Sequence, residues 1–154
     1  MAYLKMIAAV IAGETLIKQY IYRSEEKGKK MWKLPGGIEI RRLENAGAAT
    51  GILAKHPKEL KYGSGGILAF CGCLLLAESR KNQVTARGTG LALLLGGGLC
   101  NFMDRVKKGT VTDYIRFIKC PVAGIRKLVF NVSDFCIIIG GLLLCTGRKF
   151  RIKS

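Results

Sequence analysis

The sequence predicts a single-domain membrane protein of four transmembrane α-helices, with a small β-strand cradle and an interfacial segment on one membrane face. The chain has 154 residues, the length of one domain. Apolar residues make up 49% of it and are gathered in four runs, although 26 residues are Lys or Arg. The basic residues lie mainly between the runs, which favours anionic lipid headgroups as their partner and argues against nucleic acid.

The first predicted span covers residues 3–22. A bilayer core is crossed by about 20 predominantly apolar residues in a helix. Glu14 and Lys18 interrupt this run, so it does not have the clean apolar core of a cleaved signal peptide. The two charges are four residues apart, share a helix face and are expected to pair.

The first predicted surface segment, residues 23–61, is polar and basic. Pro35, Gly36 and Gly37 form a strong turn signal, and the alternation of apolar and charged residues over 38–44 predicts a short strand. We therefore expect a strand-built unit on one membrane surface.

Three further spans are predicted at residues 62–77, 88–106 and 131–147. The second and third are rich in glycine, which permits close helix approach in a bilayer. Residues 107–130 mix basic and apolar side chains, which predicts a segment lying on the lipid surface.

The cysteines and the single histidine predict no metal site. Five of the six cysteines fall within apolar runs, where they are expected to pack as small apolar residues. The cysteines are Cys71, Cys73, Cys100, Cys120, Cys136 and Cys145.

Three aspartates stand at or near the ends of the last two spans. Asp104 closes the third span, Asp113 follows nine residues later, and Asp134 opens the fourth. Ionisable groups in or beside a bilayer are candidates for function. Two carboxylates brought together can share a proton, with one acting as base on a water and the other as acid. The pattern therefore indicates aspartic-protease chemistry.

Simpler roles remain open for these residues. Asp113 would be a solvated loop acid, and Asp134 a first-turn residue of a helix capped by Asn131 or Ser133. Asp104 and Arg105 would form an ordinary pair at a helix end.

Three ordered motifs resemble those of the lipoprotein signal peptidase (signal peptidase II) family of aspartic peptidases, family A8. The motifs are N-x-x-D-R, G-x-V-x-D-(F/Y)-I and F-N-x-(A/S)-D-x-x-I-x-x-G, and residues 45–49 resemble a fourth, N-x-G-A-A-F. The matches to the three motifs are Asn101, Asp104, Arg105, Gly109, Val111, Asp113, Tyr114, Ile115, Phe130, Asn131, Ser133, Asp134, Ile137 and Gly140.

The resemblance implies an intramembrane endopeptidase that removes the signal peptide of bacterial prolipoproteins just before a diacylglyceryl-modified cysteine. It implies that Asp113 and Asp134 are catalytic, that no metal or cofactor is needed, and that the protein works as a monomer among membrane lipids. It also implies supporting or substrate-binding roles for Asn45, Gly47, Asn101, Asp104, Arg105, Asn131, Glu14 and Lys18.

The chain departs from the family pattern at several positions. It has E-T-L-I-K at residues 14–18 where the family has D-Q-x-(S/T)-K, Thr50 where Phe is usual, and Cys100 where Gly is usual. These departures keep open a paralogue that binds lipidated peptides without cutting them. A small four-helix transporter with unrelated acids is a further alternative.

Orientation in the membrane is predicted differently by charge and by resemblance. Four spans place both termini on one side, with 8 Lys and Arg there and 17 on the side of the aspartates. A plain positive-inside count would put the aspartates in the cytoplasm. The resemblance implies the bacterial cytoplasmic membrane, cytoplasmic termini and a site near the outer face. We expect this second arrangement because the basic segments are long and structured.

Overall fold

The structure, a computed structural model, describes residues 1–28, 32–47, 55–81 and 83–146. Within these ranges it has five helices and one four-stranded sheet. In chain order the elements are α1 (Ala2–Glu26), β1 (Trp32–Leu34), β2 (Ile38–Asn45), α2 (Pro57–Ser79), α3 (Ala86–Lys108), β3 (Val111–Phe117), α4 (Ala123–Arg126), β4 (Val129–Phe130) and α5 (Val132–Thr146).

Each of the four predicted apolar runs contains a helix, and the first three helices extend beyond the predicted ends. α1 continues four residues further, and α2 begins five residues earlier because Pro57 suits the first position of a helix. Thr85 caps α3 by accepting a hydrogen bond from the Gly88 amide, and Gly109 ends it in a left-handed conformation. Polar residues therefore prolong the helices past the apolar runs that define them in the sequence.

Length and hydropathy alone support a membrane crossing for one helix. Among the described residues, α2 is the one helix long and apolar enough, and α5 is apolar but shorter, with 15 residues. α1 and α3 contain several charged side chains, which lowers their hydropathy. A count of four transmembrane helices therefore remains a prediction.

The outward faces of the helices are apolar. Phe70 and Leu76 of α2 are 64% and 69% exposed, and Leu142 of α5 is 60% exposed. An apolar surface of this extent is unusual on a soluble monomer and is typical of a surface that contacts lipid or protein.

Helix α3 lies at the centre of the bundle and packs against α1, α2 and α5. Its residues Leu91, Ala92 and Leu95 form the middle of the buried core. Residues from α1 and α2 complete that cluster: Tyr3, Leu68, Cys71 and Leu75.

Glycines bring α3 and α5 into backbone contact, as the glycine-rich sequence of the third span predicts. A Cβ atom on Gly97 would stand 2.4 Å from the backbone oxygen of Ser133, and one on Gly140 would stand 2.6 Å from the backbone oxygen of Gly90. No side chain fits at either position without moving backbone. This contact sets the position of the start of α5, which includes Asp134.

The sheet is fully antiparallel, with the strand order β1-β2-β3-β4. The predicted strand over 38–44 is confirmed as β2, and the predicted turn joins it to β1, with Gly36 and Gly37 at positive φ. An irregularity between Ile40 and Leu43 shifts the register, so that Leu43 faces Asp113 across the pair and is 48% exposed. The simple alternation seen in the sequence therefore does not continue through Leu43.

The segment over 107–130, which is predicted to lie on the lipid surface, contains a strand that was not predicted, and its contact with lipid stays a prediction. Val111–Phe117 is strand β3, an inner strand of the sheet, and residues 111–114 are buried. Backbone pairing with β2 and packing against α3 outweigh the basic side chains that flank the strand.

The close contact between α3 and α5 predicts that alanine at a glycine in this contact lowers stability, whereas alanine at a glycine outside it does not. We expect Gly97→Ala to destabilise the protein by about 1–3 kcal/mol, because the added methyl displaces the Ser133 backbone. Gly66→Ala in α2, where a Cβ would meet nothing within 4 Å, should be neutral or slightly stabilising. Unfolding in detergent micelles measures both, and equal stability of the two variants would contradict the close contact.

Candidate active site

Two buried or half-buried carboxylates meet between the sheet and the helix bundle. Asp113 lies on β3 and is 3% exposed, and Asp134 lies in the first turn of α5. Burial excludes the alternative in which Asp113 is a solvated loop acid. The predicted catalytic residues are therefore brought to one site by a strand and a helix start.

Asn131 joins the two carboxylates. Its side-chain Nδ2 donates to Asp113 Oδ1 at 2.7 Å, and its backbone N–H donates to Asp134 Oδ2 at 3.0 Å. Its Oδ1 also accepts a hydrogen bond from the Asp134 backbone N–H at 2.9 Å. This reciprocal pattern has the geometry of a capping box at the start of α5. The alternative in which Asp134 lies in the first turn of a capped helix is confirmed, with Asn131 rather than Ser133 as the cap. The same hydrogen bonds also hold Asp134 in the site.

Two more asparagines complete the hydrogen bonding of the pair. Asn101 Nδ2 donates to Asp134 Oδ1 at 3.0 Å, and Asn45 Nδ2 donates to Asp113 Oδ2 at 2.9 Å. Asn131 Nδ2 is also 3.2 Å from Asn101 Oδ1. Each of the four carboxylate oxygens thus accepts a hydrogen bond from an amide N–H. These neutral donors hold the carboxylates in orientation and favour their ionised form.

The environment raises the pKa of Asp113 to about 6. Burial is the main cause, and the negative charge of Asp134 adds to it. Hydrogen bonds from Asn45 and Asn131 and the charge of Lys18 oppose the shift. A pKa near neutrality allows Asp113 to bind or release a proton under physiological conditions.

An ion cluster on α1 and α3 lies beside the pair. Lys18 Nζ is 2.9 Å from Glu14 Oε1 and 2.9 Å from Asp104 Oδ2, which confirms the predicted pairing of Glu14 with Lys18. Asp104 Oδ2 also accepts a hydrogen bond from the backbone N–H of Thr112 at 3.1 Å, next to Asp113 in the strand. Asp104 therefore connects α1 to β3.

Arg105 binds the backbone just after β2. Its Nη2 donates to the Gly47 carbonyl at 3.2 Å, and the Gly47 N–H donates to Asn45 Oδ1 at 3.0 Å. Arg105 thereby positions Asn45, the donor to Asp113, and it does not form the simple helix-end pair with Asp104. The guanidinium also contributes positive charge near both aspartates.

Sequence reasoning gave no role to Tyr114. Its hydroxyl donates to Glu14 Oε2 at 2.9 Å and accepts from the Val132 N–H at 3.2 Å. The residue was visible as a motif position after Asp113, but its partner lies 100 residues earlier in the chain. Only folding brings the two together.

The departures from the family pattern fit the site where the structure describes them. Cys100 is 4% exposed and packs within the bundle, and Glu14 keeps its ion pair with Lys18. Thr50 lies outside the described residues, as do Ala48 and Ala49 of the fourth motif.

Comparison with known proteins relates the chain to one family along nearly its whole length. A family model described as signal peptidase (SPase) II matches residues 6–148. A lipoprotein signal peptidase of Lactobacillus johnsonii is 30% identical over 142 residues, which cover 92% of this chain and 88% of the relative. One of Streptococcus pneumoniae is 27% identical over 141 residues, which cover 90% of this chain and 86% of the relative.

The fold is similar to that of a solved bacterial membrane enzyme. The two structures superpose with a TM-score of 0.78 at 23% sequence identity, over 98% of this chain and 94% of the other. This similarity supports the arrangement of helices and sheet.

The site predicts a carboxyl group that titrates near neutrality. Infrared titration of the protein in detergent should show a carboxyl that is protonated below pH about 6 and ionised above it. This signal should be absent from Asp113→Asn. In Asn131→Ala the transition should move to higher pH, because a hydrogen bond that favours the carboxylate is lost. A transition near the ordinary aspartate value in the wild type would contradict the buried pair.

Proposed function

The chain belongs to the signal peptidase II family, and from this we propose that it is a membrane aspartic endopeptidase that removes the signal peptide of bacterial prolipoproteins. The observation that carries the proposal is the pair of carboxylates joined by Asn131. Asp113 and Asp134 are each held by amide donors on both oxygens, and they come from different elements that converge on one site.

In the proposed mechanism the two aspartates share one proton and flank the scissile carbonyl. The ionised carboxylate takes a proton from a water molecule, whose oxygen attacks the carbonyl carbon. The protonated carboxyl donates a hydrogen bond to the carbonyl oxygen. Transfer of a proton to the nitrogen then lets the C–N bond break and the amine leave. The raised pKa of Asp113 supports a role as a proton carrier.

The proposed substrate is a prolipoprotein whose cysteine carries a diacylglyceryl group, cut just before that cysteine. The relatives' name, lipoprotein signal peptidase, supports a prolipoprotein substrate. Asn45 and Gly47 lie at the edge of the site, where the loop after β2 meets Asp113 and Arg105. We infer that a peptide enters along this loop and the sheet.

We further propose that α1, α2, α3 and α5 cross the bacterial cytoplasmic membrane as a monomer in contact with lipid. Exposed apolar side chains on α2 and α5 support lipid contact. The site lies where α3 ends and α5 begins, at the same end of the bundle as the sheet. In this orientation both termini are cytoplasmic and the site is near the outer face.

The alternatives have less support. A non-cleaving paralogue would be favoured by a disturbed site, but Glu14 and Cys100 are accommodated and both aspartates keep their donors. A transporter would be favoured by charges along a path through the middle of the bundle, whereas these carboxylates lie beside the sheet.

Removing either carboxylate should abolish cleavage. We expect Asp113→Asn and Asp134→Asn each to lower kcat by at least about 1,000-fold, because neither variant retains both a general base and a general acid. The assay is cleavage of a diacylglyceryl-modified prolipoprotein in detergent. Glu59→Gln, which alters a carboxylate on α2 that is 66% exposed, serves as the control and should retain full activity. Normal processing by both aspartate variants would refute the pair as catalytic.

The rate should fall as the pH rises above about 6. The active pair holds one shared proton, and because the pKa of Asp113 is raised to about 6 beside an ionised Asp134, the pair loses that proton as the pH rises through that value. We expect kcat/KM to decrease about tenfold per pH unit above the transition. Groups that face Asp113 and set this value include Asp134 on α5, Lys18 on α1 and Arg105 on α3. A rate unchanged between about pH 6 and pH 9 would contradict the assignment.

A further inference from the structure

We propose that Tyr114 is a positioning residue for the aspartate pair, because its hydroxyl ties the first amide of α5 to Glu14 on α1. The inference rests on the proposed function. It adds to the proposed site a residue that follows Asp113 in β3. Tyr114 is 2% exposed and cannot contact a peptide substrate, so its role is to position the two aspartates.

The Tyr114 hydroxyl uses both its donor and its acceptor capacity in the protein interior. It donates to Glu14 Oε2 at 2.9 Å and accepts from the Val132 N–H at 3.2 Å. Burial raises the pKa of the hydroxyl above its usual range, so it stays protonated and remains a donor. Its removal would leave a buried carboxylate oxygen and a helix-start amide each without this partner.

Both neighbours of Asp113 in β3 are attached to the same ion cluster. On one side the Thr112 N–H donates to Asp104, which Lys18 also contacts at 2.9 Å. On the other side Tyr114 donates to Glu14, which pairs with Lys18. The strand is thereby held to α1 immediately before and immediately after the catalytic residue.

The same hydroxyl fixes the start of the helix that contains the second aspartate. Val132 is the first residue of α5 and stands two positions before Asp134. Asn131 satisfies the Asp134 amide, and Tyr114 satisfies the Val132 amide. One hydroxyl therefore connects the strand of Asp113 with the helix of Asp134. Misplacement of reacting groups by about 1 Å can lower a rate about 100-fold.

The test compares two buried tyrosines that make the same kind of contact at opposite ends of the protein. Tyr3 is 7% exposed, and its hydroxyl accepts a hydrogen bond from the backbone N–H of Thr85, the cap of α3, at 2.9 Å. Tyr114→Phe should lower kcat about 10- to 100-fold and leave KM within about twofold. Tyr3→Phe should lower the melting temperature and leave kcat unchanged. Unchanged kcat in Tyr114→Phe, or an equal loss in Tyr3→Phe, overturns the inference.

A double-mutant cycle tests whether Tyr114 acts through Glu14. Glu14→Asp shortens the side chain by one methylene, which breaks the contact with the hydroxyl and retains the charge. Glu14→Asp also weakens the ion pair with Lys18, so if the two residues form one connection, the double variant should lose less activity than the sum of the two single losses. If the loss of activity in the double variant equals the sum of the two single losses, Tyr114 does not act through Glu14.

An activity-independent measurement separates this inference from the proposed function. Infrared titration of the Asp113 carboxyl should shift to lower pH by about half a unit in Tyr114→Phe, because carboxylates that move apart repel each other less. Tyr3→Phe should leave the titration unchanged. A wild type that cleaves no prolipoprotein refutes the function, whereas an unchanged titration in Tyr114→Phe refutes the positioning role.

Discussion

Two carboxylates in one buried site repel each other, and the architecture around them depends on how Asn131 holds them together. Its side chain donates to Asp113 and its backbone donates to Asp134, so a single residue links a strand to a helix. Asn101 and Asn45 supply the remaining donors. Because all these donors are neutral amides, they orient the carboxylates without cancelling their charge. Burial, with the repulsion from Asp134 added to it, raises the pKa of Asp113, which suits a pair that shares a proton.

The packing of α3 against α5 sets the positions of the groups that Asn131 and Asn101 bind. α3 and α5 approach until a glycine backbone meets the Ser133 carbonyl, and this contact brings Asn101 beside Asp134. The sheet brings the other acid, since β3 pairs with β2 and presents Asp113 to Asn45. A side chain in place of Gly97 would shift the helix start, so the glycine serves the site as well as the bundle.

Charges within the helices are stabilised by one another and by Tyr114 of the sheet. Glu14 and Lys18 would be poor residues for a lipid-facing helix, but they turn inward and meet Asp104 and Tyr114. This ion cluster joins α1 to the strand of Asp113 on both sides of that residue. The interruptions that lower the hydropathy of α1 and α3 are therefore the residues that connect the bundle to the site.

The sequence by itself determined the helices, the strand at 38–44, the aspartates and the family, because apolar runs, alternation and motif spacing are local or ordered patterns. It also located the Glu14–Lys18 pair, which lies within one helix turn. Only the tertiary structure decided that residues 111–117 form an inner strand, since pairing with β2 outweighs a basic and apolar composition. It alone decided that Asn131 bridges the acids and that Tyr114 meets Glu14. Such contacts join residues far apart in the chain, and hydrogen bonds of that kind leave no periodic signal in a sequence.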